Sequence, residues 1–176
     1  MALAIPKPLG AGDALKKLCT TRIWTTTGSG GLYLSQGLVE SLQLSNDYAA
    51  MSGTYGNFKI IGCSLKIYPG DASGVTVYTA GFGVAYDTKN NTPLNNYSSI
   101  ADYNHYTYMN LLGRSDYKGF INFKFKPRAI AFEPMKTSDT TENYGWIKTA
   151  KYGTLPNAAD MALVVYSFKV LFLNSQ

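Results

Sequence analysis

His105 is the one histidine of the chain, and it stands in Tyr103-Asn104-His105-Tyr106. A Ser-His-Asp triad would need it as base, yet no Gly-x-Ser-x-Gly elbow or comparable nucleophile accompanies it. A hydrogen-bonding histidine on a strand is therefore expected. Carboxylate pairs for glycoside hydrolysis meet only in the fold. The glutamates available are Glu40, Glu133 and Glu142, the last at an expected loop tip. Gly28-Ser29-Gly30-Gly31 lacks the Lys-Ser/Thr and the helix start of a phosphate loop, and reads as a hairpin turn. Asp87-Thr88-Lys89-Asn90-Asn91 opens like a calcium loop, but Lys89 occupies a ligand position and no downstream glutamate completes it, so a turn is expected. Cys19 and Cys63 form no CxxC and no Cys/His pair at metal spacing, and read as two small buried thiols. Asn90 and Asn96 begin N-x-S/T triplets, but the first residues lack the basic and apolar regions of a secretion signal, so these are expected to be chance. No catalytic residue, metal or cofactor is assigned.

The aromatic residues are a different matter. Tyr97, Tyr103, Tyr106 and Tyr108 crowd one short stretch beside His105 and Met109. They fit a platform on which sugars or bases stack, a subunit interface, or simple core packing. Lys124 and Lys126 fall on the outward side of an expected strand, which is a solvated face or a set of phosphate contacts.

Composition sets the frame for these groups. Charged residues are 15% of the 176, against roughly 25% in an average domain, while aromatics reach 14% and include 14 tyrosines. Long solvated helices, coiled coils and disordered polyelectrolytes are excluded by that balance. The net charge of +5 permits a polyanionic partner, but the arginines, Arg22, Arg114 and Arg128, are scattered and form no block. The longest apolar run, Met161–Phe168, is well short of the ~18 residues of a membrane span, and a soluble chain is expected.

Residues 1–18 read as an arm, with Pro6 and Pro8 against regular structure and Asp13 capping one turn over Ala14–Leu18. Strands are expected over Cys19–Thr27, Gly31–Leu44, Phe58–Tyr68, Val75–Asp87, Tyr103–Leu112, Tyr117–Lys126, Tyr144–Thr149 and Asp160–Leu173. In the third, Lys59, Ile61, Cys63, Leu65 and Ile67 share a face. In the fourth, Gly81 and Gly83 suggest a bend or a close neighbouring backbone. Ser99 and Asp102 have capping-box spacing for a short helix. About eight strands, long loops and at most one or two short helices make an all-β antiparallel sandwich, of which the jelly roll is the usual eight-stranded form.

Several stretches, in order, resemble capsid proteins of small circular single-stranded DNA viruses, the circovirus-like group that encodes a replication initiator. They are Phe58-Lys-Ile-Ile-Gly-Cys-Ser-Leu-Lys-Ile-Tyr-Pro69, Gly83-Val-Ala-Tyr-Asp87 with Pro93, Tyr97, Ile100 and Tyr103, Phe123-Lys-Phe-Lys-Pro127, Gly145-Trp-Ile147, Tyr152-Gly153 and Tyr166-Ser-Phe-Lys-Val-Leu-Phe172. The resemblance covers roughly residues 58–173; coat proteins of small icosahedral plant RNA viruses share the fold it implies. It implies an arm over 1–18, a jelly-roll capsid domain over 19–176, and a shell of about 60 copies or a multiple. It further implies a single-stranded viral nucleic acid as partner, no membrane, and a location in the virion and in the nucleus or cytoplasm of the infected cell. Lys7, Lys16, Lys17 and Arg22 become interior nucleic-acid contacts, and Tyr97, Tyr103, Tyr106, Tyr108 and Met109 a subunit interface. One departure is plain, because the Arg-rich arm usual in that family is missing. At +5 each, about 60 subunits carry about +300, against about a thousand phosphates or more. Empty particles from an arm-less form are the expectation, ahead of other cations or a larger shell. The competing classes are a carbohydrate-binding β-sandwich that stacks sugars on the tyrosines, and a β-rich enzyme using His105.

Overall fold

The computed structural model describes residues 14–25, 34–69, 79–94, 96–110, 121–127, 134–154 and 162–174. Period-two alternation of apolar residues builds the first sheet. In it β1 (Ala14–Thr25) pairs with β9 (Ala162–Leu173), β9 with β3 (Asn57–Pro69), and β3 with β6 (Ile121–Phe125), all antiparallel. A two-residue strand, β7 (Met135–Lys136), also pairs with β3, at Asn57 and Phe58. The second sheet runs β2 (Leu34–Gly37), β8 (Trp146–Thr154), β4 (Thr79–Asp87), β5 (Tyr106–Asn110), again antiparallel. The orders β1-β9-β3-β6 and β2-β8-β4-β5, in which only β4 and β5 are consecutive neighbours, are the two interlocked Greek keys of a jelly roll.

Between the sheets lies one core. Val164, Tyr166, Phe168, Val170 and Phe172 of β9, all at most 3% exposed, meet Val84, Tyr86 and Ile147 of the second sheet. Tyr86 and Phe125 stack across it with ring centroids 4.3 Å apart. Phe123 and Phe125 point inward while Asn122, Lys124 and Lys126 are exposed, as the alternation of this strand requires. Cys19 and Cys63 are buried and free, and burial pushes the Cys19 thiol up to about 11. Both stand opposite Phe168, one strand away on either side. Two inter-strand spacings, about 9.6 Å, exceed the reach of a disulfide.

Four local expectations change. Residues Ala14–Leu18 are strand, not a capped turn, because β9 supplies a partner for every residue from Ala14 to Thr25. Lys59 and Ile61 do not share a face with Cys63, since a register shift between Ile60 and Gly62 inserts one residue. Phe58 and Ile60 point inward before this bulge, and Cys63, Leu65 and Ile67 after it. The single long strand expected over Gly31–Leu44 is the short β2 followed by α1 (Leu38–Gln43), and α2 (Asn46–Ser52) follows. Leu38, Val39 and Leu42 have helical spacing and are fully buried, which a strand would not achieve. The expected helix near Ser99 is a 3-10 turn over Ser98–Asp102, capped from outside by Asn96, whose Oδ1 accepts from the Ser99 N–H at 2.9 Å and from the Ser98 hydroxyl at 2.6 Å.

Candidate assembly and nucleic-acid surfaces

Among the described residues β5 is the terminal strand of its sheet, with β4 as its one ladder partner, which makes it an edge strand. It carries Tyr106 and Tyr108, 45% and 39% exposed, among the most exposed large apolar side chains described. The Tyr108 ring lies over Gly83 of β4, where an added Cβ would meet its Cδ1 at 3.0 Å and Ile100 Cγ1 at 3.1 Å. The nearest atoms at Gly83 are thus side chains, and not the neighbouring backbone expected there. Tyr97 sits 5.0 Å from Tyr108 at an interplanar angle of 51°, and Tyr106 sits 5.4 Å from Tyr108 at 67°. Rings tilted in this way make a knobbed surface, not a flat stacking platform. Tyr97 and Tyr103 are half-buried and pack on a second small core of Ala85, Leu94, Ile100 and Ala150. Of the expected interface set, Tyr106 and Tyr108 face solvent, Tyr97 and Tyr103 anchor the segment beneath them, and Met109 is placed in β5 opposite Phe82.

What holds that segment is a group the sequence did not single out. Lys148 of β8 is completely buried, with its ammonium 3.5 Å from Asp87 Oδ2 and 3.2 Å from Asn90 Oδ1, and donating also to the Thr92 carbonyl. Its three N–H donors are matched by three acceptors. Asp87 Oδ1 accepts from the Lys89 N–H at 2.7 Å, and Asn90 Oδ1 from the Thr92 N–H at 3.0 Å. The calcium-like loop is thus a pair of Asx turns whose oxygens surround an ammonium. Among the described residues, no group of three or more His, Cys, Asp and Glu side chains is placed to hold a metal ion. Burial pulls the Lys148 pKa down while Asp87 pulls it up, and the net direction is down.

His105 is exposed, one residue ahead of β5, and its carbonyl accepts from the Tyr86 N–H at 2.9 Å. It lines a cleft of about 350 Å³ with Asp87, Lys89, Asp102, Tyr103 and Lys126. Burial, then the Asp87 and Asp102 carboxylates, hold the Tyr103 hydroxyl above its ordinary value.

Glu142 is not at a free loop tip. Its Oε2 accepts from the Val39 N–H at 2.7 Å at the start of α1, and its Oε1 from the Tyr144 N–H at 3.0 Å. Burial raises its pKa from 4.5 to about 7, against the downward pull of these backbone N–H groups. A carboxyl raised on folding binds its proton more tightly in the folded chain, so this group's contribution is full below pH 4.5 and is lost as pH rises to about 7. After allowance for its partial exposure the effect is on the order of 1–2 kcal/mol. Urea unfolding between pH 5 and 8 is expected to show stability falling, and Glu142→Gln to flatten that slope.

The basic candidates divide between faces. Lys16 and Arg22 are exposed on the outer side of β1, whereas Lys17 points the other way, 3.7 Å from Asp47 of α2. Lys7 and Glu133 lie outside the described residues. Among the described residues no helix is long and apolar enough to cross a membrane.

No family model matches the chain, and no curated protein sequence matches it either. Solved structures do. The chain is similar to that of Cocksfoot mottle virus, with a TM-score of 0.67 at 12% identity over 100% of this chain and 92% of that one. Desmodium yellow mottle tymovirus gives 0.62 at 9% identity over 99% and 95%. A semi-empty virus-like particle of the giant freshwater prawn Macrobrachium rosenbergii nodavirus gives 0.59 at 12% over 98% and 100%. The chain has the jelly-roll fold of these viral structures. At these identities the likeness is one of fold, and it extends over the whole chain, beyond the 58–173 stretch where sequence resemblance is found.

Proposed function

We propose that the chain is the repeating subunit of an icosahedral viral shell that encloses a single-stranded nucleic acid. The observation that carries this reading is the jelly-roll strand order β1-β9-β3-β6 over β2-β8-β4-β5, supported by a fold likeness to Cocksfoot mottle virus that covers 100% of this chain. The division into an arm and a jelly-roll domain belongs to the same proposal, with the start of β1 at Ala14 moving Lys16 and Lys17 from the arm into a strand. So does the virion location, with the nucleus or cytoplasm before assembly. The resemblance of residues 58–173 supports a circovirus-like DNA virus, while the neighbours named above come from other viruses and support the coarser reading, a shell subunit.

Identical copies meet through the open edge and the tyrosines of β5. Low charge there avoids repulsion between like surfaces, and tyrosine supplies rigid contact area. Purified protein is expected to sediment as megadalton particles; a monomer or small oligomer at every salt and pH would overturn the reading. Truncating one buried interface tyrosine costs on the order of 2 kcal/mol, about thirty-fold in concentration. Tyr106→Ala is therefore expected to raise the assembly concentration at least tenfold by light scattering, with the circular dichroism of the subunit unchanged.

A further inference from the structure

The register of the first sheet places its outward side chains in rows. Lys16, Leu171 and Lys59 lie side by side across β1, β9 and β3. Leu18, Lys169 and Gly62 form the next row, then Thr20, Ser167, Ser64 and Lys124, and then Arg22, Val165, Lys66 and Asn122, the last residue of each of these two rows coming from β6. Lys16, Arg22, Lys66, Lys124 and Lys169 are exposed and Lys59 is half-exposed. No Asp or Glu stands at any described outward position of these four strands. The bulge at Gly62 contributes directly, since the Lys169 stem lies over it, with Cδ 3.6 Å from where a Cβ would be. The face is about 20 Å long and about 14 Å wide, from strand rise and spacing.

The second sheet has the opposite character. Its Lys148 is neutralised by Asp87, and Ala85 and Ala150 lie beneath Leu94, Ile100 and the half-buried tyrosines. The whole-chain charge of +5 conceals this asymmetry, because no Asp or Glu falls within the described residues of β1, β9, β3 and β6. A subunit with one cationic face and one near-neutral, aromatic face has a built-in inside and outside.

We propose that the outward face of β1-β9-β3-β6 is a nucleic-acid-binding surface that contacts the phosphates of a single strand without reading its bases. This deepens the shell reading and rests on it. Charge complementarity selects a polyanion, and the hydroxyls of Thr20, Ser64 and Ser167 between the cations are neutral phosphate donors. The absence of arginine from residues 1–18 then does not by itself make the particle empty, because the sheet lines the interior with positive charge.

The test is the salt dependence of binding of fluorescein-labelled oligothymidylate of about 20 nucleotides to dissociated full-length subunits. Each single-strand phosphate contact contributes about −0.7 to the slope of log K against log salt. The unsubstituted chain is expected to give a slope of about −3 to −4, and Lys124→Gln with Lys169→Gln to reduce its magnitude by about 1.4. The control pair Lys17→Gln with Lys89→Gln removes the same charge from other faces and is expected to leave it unchanged. Equal loss in both pairs, or no loss in the first, overturns the inference. So does binding to phosphatidylserine vesicles that depends on Lys124 and Lys169 while the oligonucleotide is not bound. Sedimentation of the same preparations reads assembly separately. Normal particles with an unaltered slope sink this inference and leave the shell standing; the expected slopes without particles do the reverse.

Discussion

Lys148→Met is expected to lower the unfolding free energy of the subunit by about 3–5 kcal/mol, the cost of stranding one member of a buried ion pair. Methionine fills much of the same volume, so the loss is electrostatic and not a cavity. Without the ammonium, Asp87 remains 4% exposed and keeps a hydrogen bond from the Lys89 N–H, but faces no cation from β8. The Asn90 amide oxygen and the Thr92 carbonyl lose a charged donor at the same time. Asp87→Asn combined with Lys148→Met removes both charges and keeps the turn, and is expected to recover about half the loss. Urea unfolding of unassembled subunits at constant m-value measures both variants. A loss below about 1 kcal/mol would mean that water reaches the pair. The second consequence concerns assembly. Residues 88–105 connect β4 to β5 and carry Tyr97 and Tyr103, so freeing them loosens the support beneath Tyr108.

How far the sequence discloses this molecule follows from the range of the interactions involved. β9 and β6 are legible because one face of each is wholly apolar and a period of two is a local signal. The bulge in β3 is not, because both Ile60 and Ile61 are apolar and only pairing with β9 decides which turns inward. Helices α1 and α2 are obscured for a different reason. They are six and seven residues long, too short for a periodic signature, and neither is capped by the side chain of its own N-cap residue, Gly37 or Ser45. The 3-10 turn is anchored by Asn96, one position ahead of Tyr97, where a capping-box pattern directs attention to Ser99. Tyr106 and Tyr108 stand out by type and density, yet their exposure follows from β5 being an edge strand, which is a property of topology. Lys148 is hidden entirely. It is one lysine among several in β8 and its region, and its partners Asp87 and Asn90 lie 61 and 58 residues away in the chain. The cationic face is the clearest case. Its residues are dispersed over four strands with no basic block, and antiparallel register alone assembles them.

Gly145→Ala is expected to cost about 3 kcal/mol or more, because two independent penalties fall on one methyl group. Gly145 has φ +97°, a conformation that an L-residue reaches at a cost of roughly 1–2 kcal/mol. Its Cβ would also stand 2.5 Å from the Asp87 carbonyl oxygen and 2.9 Å from Tyr86 Cε2. The first of these is backbone and cannot rotate away, so β4 or β8 must move. Movement there is transmitted, since the Gly145 carbonyl accepts from the Leu38 N–H at 3.1 Å at the entrance to α1, and Tyr86 Oη donates to the Tyr144 carbonyl at 2.5 Å. Gly83→Ala provides the contrast. Its contacts at 3.0 and 3.1 Å are with the side chains of Tyr108 and Ile100, which can shift, and its φ is ordinary. That substitution is expected to cost about 1 kcal/mol in unfolding and to displace the Tyr108 ring outward. Measured side by side, Gly145→Ala should register mainly in the thermal midpoint of the subunit and Gly83→Ala mainly in the concentration at which particles form. The reverse order would mean that Tyr108 is core and not contact surface, and that the edge of β5 acts without it.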